Sequence, residues 1–178
     1  AWWARDEGRS LVFNDVRRFG RVAVVPRGGH SSLATLAALG PEPFDPGFTP
    51  TVLRRGINAT TRAIKTALLS QRIVAGLGNI YADEALWRAG IDPRRRGGLG
   101  ARRAEALHGA IVDVLGDAIG RGGTTLRDYR TLDGATGNYQ QRLEVYGRNG
   151  RPCVRCGTAL RSITLDARTT TWCVRCQR

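Results

Sequence analysis

Apolar residues along the chain fall into short runs near the N-terminus, helical stripes in the middle and an alternating pair at the end. Leu11-Val12-Phe13 and Val22 to Val25 are β-branched or aromatic runs and predict two strands. Asn14 to Gly20 is the turn between them. Ser31 or Ser32 caps a short helix through Leu33, Leu36 and Leu39, stopped by Gly40-Pro41. Thr49 is an N-cap with Pro50 at the first helical position. From there Leu53, Ile57, Ile64 and Leu68 recur at four, seven and four, which predicts one amphipathic helix. Ala104 to Arg121 carries a second stripe of Leu107, Ile111, Val114, Leu115, Ala118 and Ile119, ended by Gly122-Gly123. Leu160 to Leu165 and Arg168 to Trp172 predict the strands of a hairpin. Two stretches lack a period. Pro41 to Pro50, with four prolines, is expected to be an interdomain linker. Thr124 to Gln141, polar and containing Asp133-Gly134 and Gly137, is expected to be a mobile loop.

The remaining stretch, Gln71 to Pro93, organises the rest. Gly76 and Gly78 break an apolar run and bracket Leu77. Asn79 follows as a favoured N-cap, Ile80 to Ala89 is helix with Asp83 and Glu84 near its start, and Gly90 and Pro93 close it. The expectation is helix, tight glycine turn, helix. The second helix then offers free N–H groups beside a short amide, which is an anion site suited to phosphate. A helical hairpin with no ligand is the alternative.

Charge favours the first reading. The 178 residues hold 28 Lys+Arg against 15 Asp+Glu, a formal charge of +13, and the calculated pI is about 11.2. That is the footprint of a nucleic-acid binder, although ribosomal and membrane-surface proteins share it. Lys65 is the only lysine, so the charge rests on Arg, whose forked guanidinium suits phosphate and guanine. In the first turn, Arg17 and Arg18 are placed to meet bases or phosphate and Phe19 to wedge between bases; an ordinary charged hairpin tip is the alternative. Arg94-Arg95-Arg96 is a basic loop of the kind usually left solvated. The hydrophobic fraction of 42% supports a core, and the length fits one or two domains. No apolar run of membrane-spanning length and no signal peptide stand out. The chain has no Met and starts at Ala1-Trp2-Trp3, so a preceding N-terminal part is expected.

All four cysteines lie near the end, as Cys153-x-x-Cys156 and Cys173-x-x-Cys176. Two such turns offer four thiolates to one tetrahedral ion, the pattern of a closed structural zinc site. Two disulfides are the alternative, disfavoured without an export signal. With a hairpin between the pairs, this is a zinc ribbon that relies on the metal to fold. From Arg148 to Arg178 there are seven Arg and one acid, Asp166. That excess predicts a phosphate or groove contact, with Arg168 the foremost candidate.

Together the segments DVRRFG (15–20), LGPEPFD (39–45), IKTALLSQRIVAGLGNIYADEALWRAGIDP (64–93), GGTTLRDY (122–129), VYGRNGRPCVRCG and TTTWCVRCQ resemble the C-terminal part of formamidopyrimidine-DNA glycosylase, in the family shared with endonuclease VIII. The resemblance covers nearly the whole chain. It implies an α+β, mainly helical fold: a remnant of an N-terminal catalytic β-sandwich over 1–40, a helix–two-turn–helix domain over 41–145 and a zinc finger over 146–178. It implies bacterial base-excision repair in the cytoplasm, by a monomer without membrane attachment. The partner is damaged double-stranded DNA. Oxidised purines such as 8-oxoguanine and formamidopyrimidine are removed and the abasic strand is cleaved by β,δ-elimination. One structural Zn(2+) is implied, on Cys153, Cys156, Cys173 and Cys176. Asn79 and Arg168 would grip phosphates around the flipped nucleotide, with Arg168 also the proton donor for δ-elimination. Arg17, Arg18 and Phe19 would fill the vacated gap; Lys65, Tyr81 and Tyr146, in the matching segments, join the DNA-contacting set. Thr124 to Gln141 would cover the lesion base.

The sequence also departs from the family. Members attack C1′ with an N-terminal proline followed by glutamate, whereas this sequence starts at Ala1. Asp15-Val16 replaces a frequent Asp-Pro, and Thr61 stands at a usually basic position. An amine nucleophile must be unprotonated and near C1′, and Lys65 is the one side-chain amine here. These residues by themselves are therefore expected to bind DNA without excising bases. The alternatives are a non-catalytic zinc-dependent DNA-binding module and, more distantly, a ribosome-associated zinc ribbon. Chelation is expected to unfold 148–178 and spare the helical domain.

Overall fold

The computed structural model describes residues 2–4, 8, 10–13, 15, 20–125, 134 and 136–178. Arg17, Arg18 and Phe19 lie outside the described residues, so the expected wedge does too. The chain divides into two compact units, Ala1–Ala37 and Ala38–Arg178.

In the first unit, β1 (Trp2–Ala4) pairs antiparallel with β2 (Ser10–Val12), Trp2 opposite Val12. The strand expected at Val22 to Val25 does not form; Val24 is 96% exposed. β-branched content alone does not make a strand where no partner buries one face. The helix expected through Leu39 is shorter: a 3-10 turn at Gly29–Ser32 precedes α1 (Ala34–Ala37).

The second unit is helical with a terminal hairpin. Residues 41–50 are not a linker. Pro43 and Phe48 are buried, and the Phe48 ring packs on His108 at 4.7 Å. The Pro41 carbonyl accepts the Ala75 amide at 3.0 Å. α2 (Pro50–Asn58) starts as its sequence dictates, the Thr49 hydroxyl accepting the Val52 amide at 3.2 Å. The single helix expected through Leu68 is two, because α3 (Ile64–Leu69) is separate. Asn58 ends the first by pairing its side chain with the Leu99 backbone at 2.8 and 3.1 Å. The Arg95 carbonyl accepts the Ile64 amide at 2.7 Å and so starts the second. Leu53, Ile57, Ile64 and Leu68 are nonetheless all buried, since both helices face one core.

α4 (Asn79–Arg88) and α5 (Ala101–Gly120) complete that core with Leu77, Leu86, Leu107, Ile111 and Val114. The stripe along α5 holds except at Ile119, which is 66% exposed in the last turn. Among the described residues, no helix is long and apolar enough to cross a membrane. β3 (Arg161–Leu165) and β4 (Arg168–Trp172) form the hairpin, Leu165 opposite Arg168. Asp166 and Ala167 turn it with φ of 44° and 59°, the two positive values that a two-residue turn matched to strand twist requires. A second small core joins Trp87 of α4 to Val145, Cys153, Leu160 and Cys173. The boundary expected at 145/146 thus falls inside one compact unit.

Candidate nucleic-acid interface and metal centre

The nine residues before α4 expose two glycines while anchoring what lies between them. Val74, Ala75 and Leu77 are buried. Gln71, itself at φ 62°, donates from Nε2 to the Leu77 carbonyl at 2.8 Å, and its own carbonyl accepts the Gly40 amide at 2.8 Å. Gly76 takes φ of 74°, a conformation glycine adopts without cost. Gly76 and Gly78 are exposed, and nothing stands within 4 Å of where a Cβ would sit on either. A partner's backbone has room to approach there.

The expected cap is corrected. Gly78 is the N-cap of α4 and makes no side-chain cap bond, and Asn79 is already the first helical residue. The first helical bond runs from the Ala82 amide to the Gly78 carbonyl at 2.9 Å. The amides of Asn79, Ile80 and Tyr81 therefore have no helical acceptor. The Asn79 Oδ1 is buried without a hydrogen-bond partner. Three amides at a positive helix end beside an uncommitted carboxamide make an anion cradle.

Lys65, expected among the DNA contacts, is elsewhere. It is fully buried. Its Nζ lies 2.7 Å from Asp83 Oδ1 and donates to the Thr169 carbonyl at 2.8 Å. Asp83 Oδ2 in turn accepts the Thr171 amide at 3.0 Å. This pair ties α3 and α4 to β4 one turn below the cradle, and leaves the ammonium unavailable to a ligand. Burial dominates both titrations: it pushes the Asp83 carboxyl up to about 6 and the Lys65 ammonium down. Arg168, at the head of β4 next to Thr169, is exposed and close enough to Lys65 to oppose its charge. Among the described residues its side chain has no hydrogen bond or ion pair, so it is free to meet a phosphate.

The tyrosines are held. Tyr81 Oη meets Thr124 Oγ1 at 3.1 Å, and its ring stands edge-on to Tyr139 at 5.7 Å. The Tyr146 amide donates to Glu84 Oε1 at 2.9 Å, beside the amides of Glu144 and Val145. The loop expected to be mobile is pinned at its base: Thr124 bridges Asn138, and the Gly137 amide donates to Thr125 Oγ1 at 2.9 Å. Residues 126–133 and 135 lie outside the described residues.

Sequence reasoning missed Asp83 and Glu84 as connectors, reading them only as acids near a helix start. A signal existed: Asp83 is four residues after Asn79, hence on the same helix face. It also overcounted the arginines of the ribbon. Arg155 lies over the Trp87 ring at 3.8 Å and Arg148 donates to the Glu144 carbonyl at 2.9 Å. Both serve the fold.

The four sulfurs lie within 4.8 Å of one another, Cys153 to Cys176 at 3.9 Å and Cys156 to Cys173 at 3.5 Å. Zn–S bonds of about 2.3 Å in a tetrahedron place sulfurs about 3.8 Å apart. The four cysteines are not paired as disulfides. Each knuckle is closed by backbone bonds, Gly157 to the Cys153 carbonyl at 2.8 Å and Gln177 to the Cys173 carbonyl at 3.0 Å. The Thr158 hydroxyl and amide lower the Cys156 thiol, whereas burial raises those of Cys173 and Cys176. The donor set fits one structural zinc ion and leaves no coordination position for chemistry.

Comparison with known proteins places these features. Residues 39–130 match the formamidopyrimidine-DNA glycosylase H2TH domain. Residues 150–178 match the zinc finger found in FPG and IleRS. Formamidopyrimidine-DNA glycosylase of Chloroflexus aggregans is 49% identical over 97% of this chain and 62% of its own length. The crystal structure of the MutM (Fpg) protein from Thermus thermophilus superposes with a TM-score of 0.90 at 44% identity, over 96% of this chain and 65% of that one. The Lactococcus lactis Fpg bound to DNA containing an abasic site gives 0.76 at 39% identity, over 83% and 55%. The chain thus spans less than two thirds of the length of these relatives.

Proposed function

This chain belongs to the formamidopyrimidine-DNA glycosylase family through its H2TH domain, and we propose that it forms the DNA-gripping part of a bacterial base-excision repair enzyme. The activity proposed for the whole protein is that of a glycosylase and abasic-site lyase acting on oxidised purines such as 8-oxoguanine and formamidopyrimidine. It works as a monomer in the cytoplasm, on duplex DNA. The observation that carries this reading is the cradle at the start of α4, with amides free of helical acceptors and the exposed Arg168 on the strand that Lys65 and Asp83 hold against the same helix. Asn79 and Arg168 take phosphates; Arg168 also serves as proton donor for δ-elimination. Tyr81 and Tyr146 border the site. The fitting zinc set serves by fixing the knuckles that carry β4.

For these 178 residues alone the proposal is binding without base excision, because the one lysine is buried in an ion pair and presents no free side-chain amine to C1′. Fluorescence anisotropy with an abasic-analogue duplex is expected to show binding that weakens steeply with salt. Arg168→Ala should lower affinity on all sequences and reduce the salt slope by about 1, as loss of one phosphate contact does. Affinity equal to the parent at every salt concentration would remove Arg168 from the interface. Borohydride trapping on an 8-oxoguanine duplex is expected to give no adduct, and a trapped adduct would refute that part.

A further inference from the structure

Gln71, between α3 and α4, holds φ of 62°. That is the left-handed region, which is costly for most side chains and eased for glycine and asparagine. Such an outlier persists only where neighbouring contacts fix it, and it directs attention to a role for the residue. Gln71 is fixed from two sides. Its carbonyl accepts the Gly40 amide at 2.8 Å. Its side chain reaches six residues ahead, Nε2 donating to the Leu77 carbonyl at 2.8 Å. A carbonyl only accepts, so the partner fixes which way the Gln71 amide is turned.

This clamp decides where the next backbone amide points. The peptide joining Leu77 to Gly78 is trans and planar, so its C=O and N–H point in opposite directions. With the Leu77 carbonyl drawn onto Gln71, the Gly78 N–H faces away from Gln71. It has no hydrogen-bond partner among the described residues, and Gly78 is exposed. It stands directly ahead of the amides of Asn79, Ile80 and Tyr81, which lack helical acceptors.

We propose that Gln71 is a positioning residue for DNA binding, its clamp on the Leu77 carbonyl turning the Gly78 N–H toward the phosphate at the start of α4. The role presupposes the phosphate contact proposed there. It also accounts for the backbone conformation: glycine at 71 would make the same turn freely but would leave the Leu77–Gly78 peptide free to rotate. A phosphate that meets an amide already oriented loses no affinity to ordering it.

The test uses the full chain and the abasic-analogue duplex. Gln71→Asn keeps an amide and eases the left-handed backbone, but is one methylene too short for the Leu77 carbonyl. Gln71→Gly eases the backbone and removes the clamp altogether. Both are expected to unfold near the parent's midpoint yet bind the duplex about tenfold more weakly, the effect of one hydrogen bond to a charged group. Their salt slope should equal the parent's, because no cationic contact is lost. That separates a positioning residue from a phosphate-contacting one such as Arg168. Affinity equal to the parent's in either variant, or a loss that comes with a shallower salt slope, overturns the proposal. Should the variants fail to fold, the parent decides by nuclear magnetic resonance. On titration with the duplex the Gly78 amide proton is expected to shift together with those of Asn79 to Tyr81, and a Gly78 proton that stays in place while the others move overturns the proposal. A parent that binds no duplex refutes the phosphate contact itself, and this role with it.

Discussion

Asp83 ties together segments far apart in the chain. Its carboxylate meets an ammonium that is fully buried and a backbone amide of the hairpin. Removing one member of a buried pair leaves the other uncompensated, at a cost of about 3–5 kcal/mol. Asp83→Asn is expected to lose roughly that much in denaturant unfolding at neutral pH. The pH profile checks the cause. Burial raises the carboxyl from 3.8 to about 6. Between those values the folded chain holds a proton that the unfolded chain has released. The proton-linked part of its stability is therefore fully present below the lower value and is lost as pH rises through the upper one, while the pairing with Lys65 that Asp83→Asn removes remains at neutral pH. Asp83→Asn should lack that segment of the wild-type slope; a profile parallel to the parent's between pH 4 and 6 would assign the slope to other groups.

Among the elements, the segment before α4 shows how a loop is made rigid without regular structure. Chain 38–42 crosses it closely: the Gly40 amide donates to the Gln71 carbonyl at 2.8 Å. A Cβ on Gly40 would lie 2.6 Å from the Arg72 carbonyl oxygen. Backbone cannot yield as the tip of a side chain does. Gly40→Ala is expected to destabilise the unit by about 3 kcal/mol, in the manner of an overpacked core, and to weaken DNA binding by displacing residues 71–78. Unchanged denaturation and affinity would show that the crossing is dispensable. By contrast, an alanine at Gly78 meets open space within the chain. Beyond the small cost of alanine at an N-cap, any loss of affinity it causes would report on the bound partner.

At the scale of the whole molecule, the ribbon is not an appendage. Lys65, Asp83, Arg155 and Gln177 each bond across to it or from it, Gln177 Nε2 reaching the Ile91 carbonyl at 2.9 Å. A structural zinc contributes about 10 kcal/mol or more to small metal-folded units, comparable with the full stability of an ordinary domain at about 5–15 kcal/mol. The expectation that chelation spares the helices is therefore replaced. Metal removal should lower helical circular dichroism together with zinc occupancy, and helices that survive quantitative chelation would refute the coupling.

The sequence by itself determined what depends on local chemistry. Cys153, Cys156, Cys173 and Cys176 named their ligand class through spacing, Thr49-Pro50 began a helix, and Gly122-Gly123 ended one. The apolar stripes marked the core, and the Gly76–Asn79 run marked the start of α4. Only the tertiary structure decided which charges are spent inside. Lys65 and Arg155 read as cationic surface until the fold supplied Asp83, the Thr169 carbonyl and the end of α4 as partners distant in sequence. Four-seven-four spacing likewise could not separate one helix from two that face the same core. A side chain's periodicity records whether it is buried; what it is buried against is set by contacts between segments far apart along the chain.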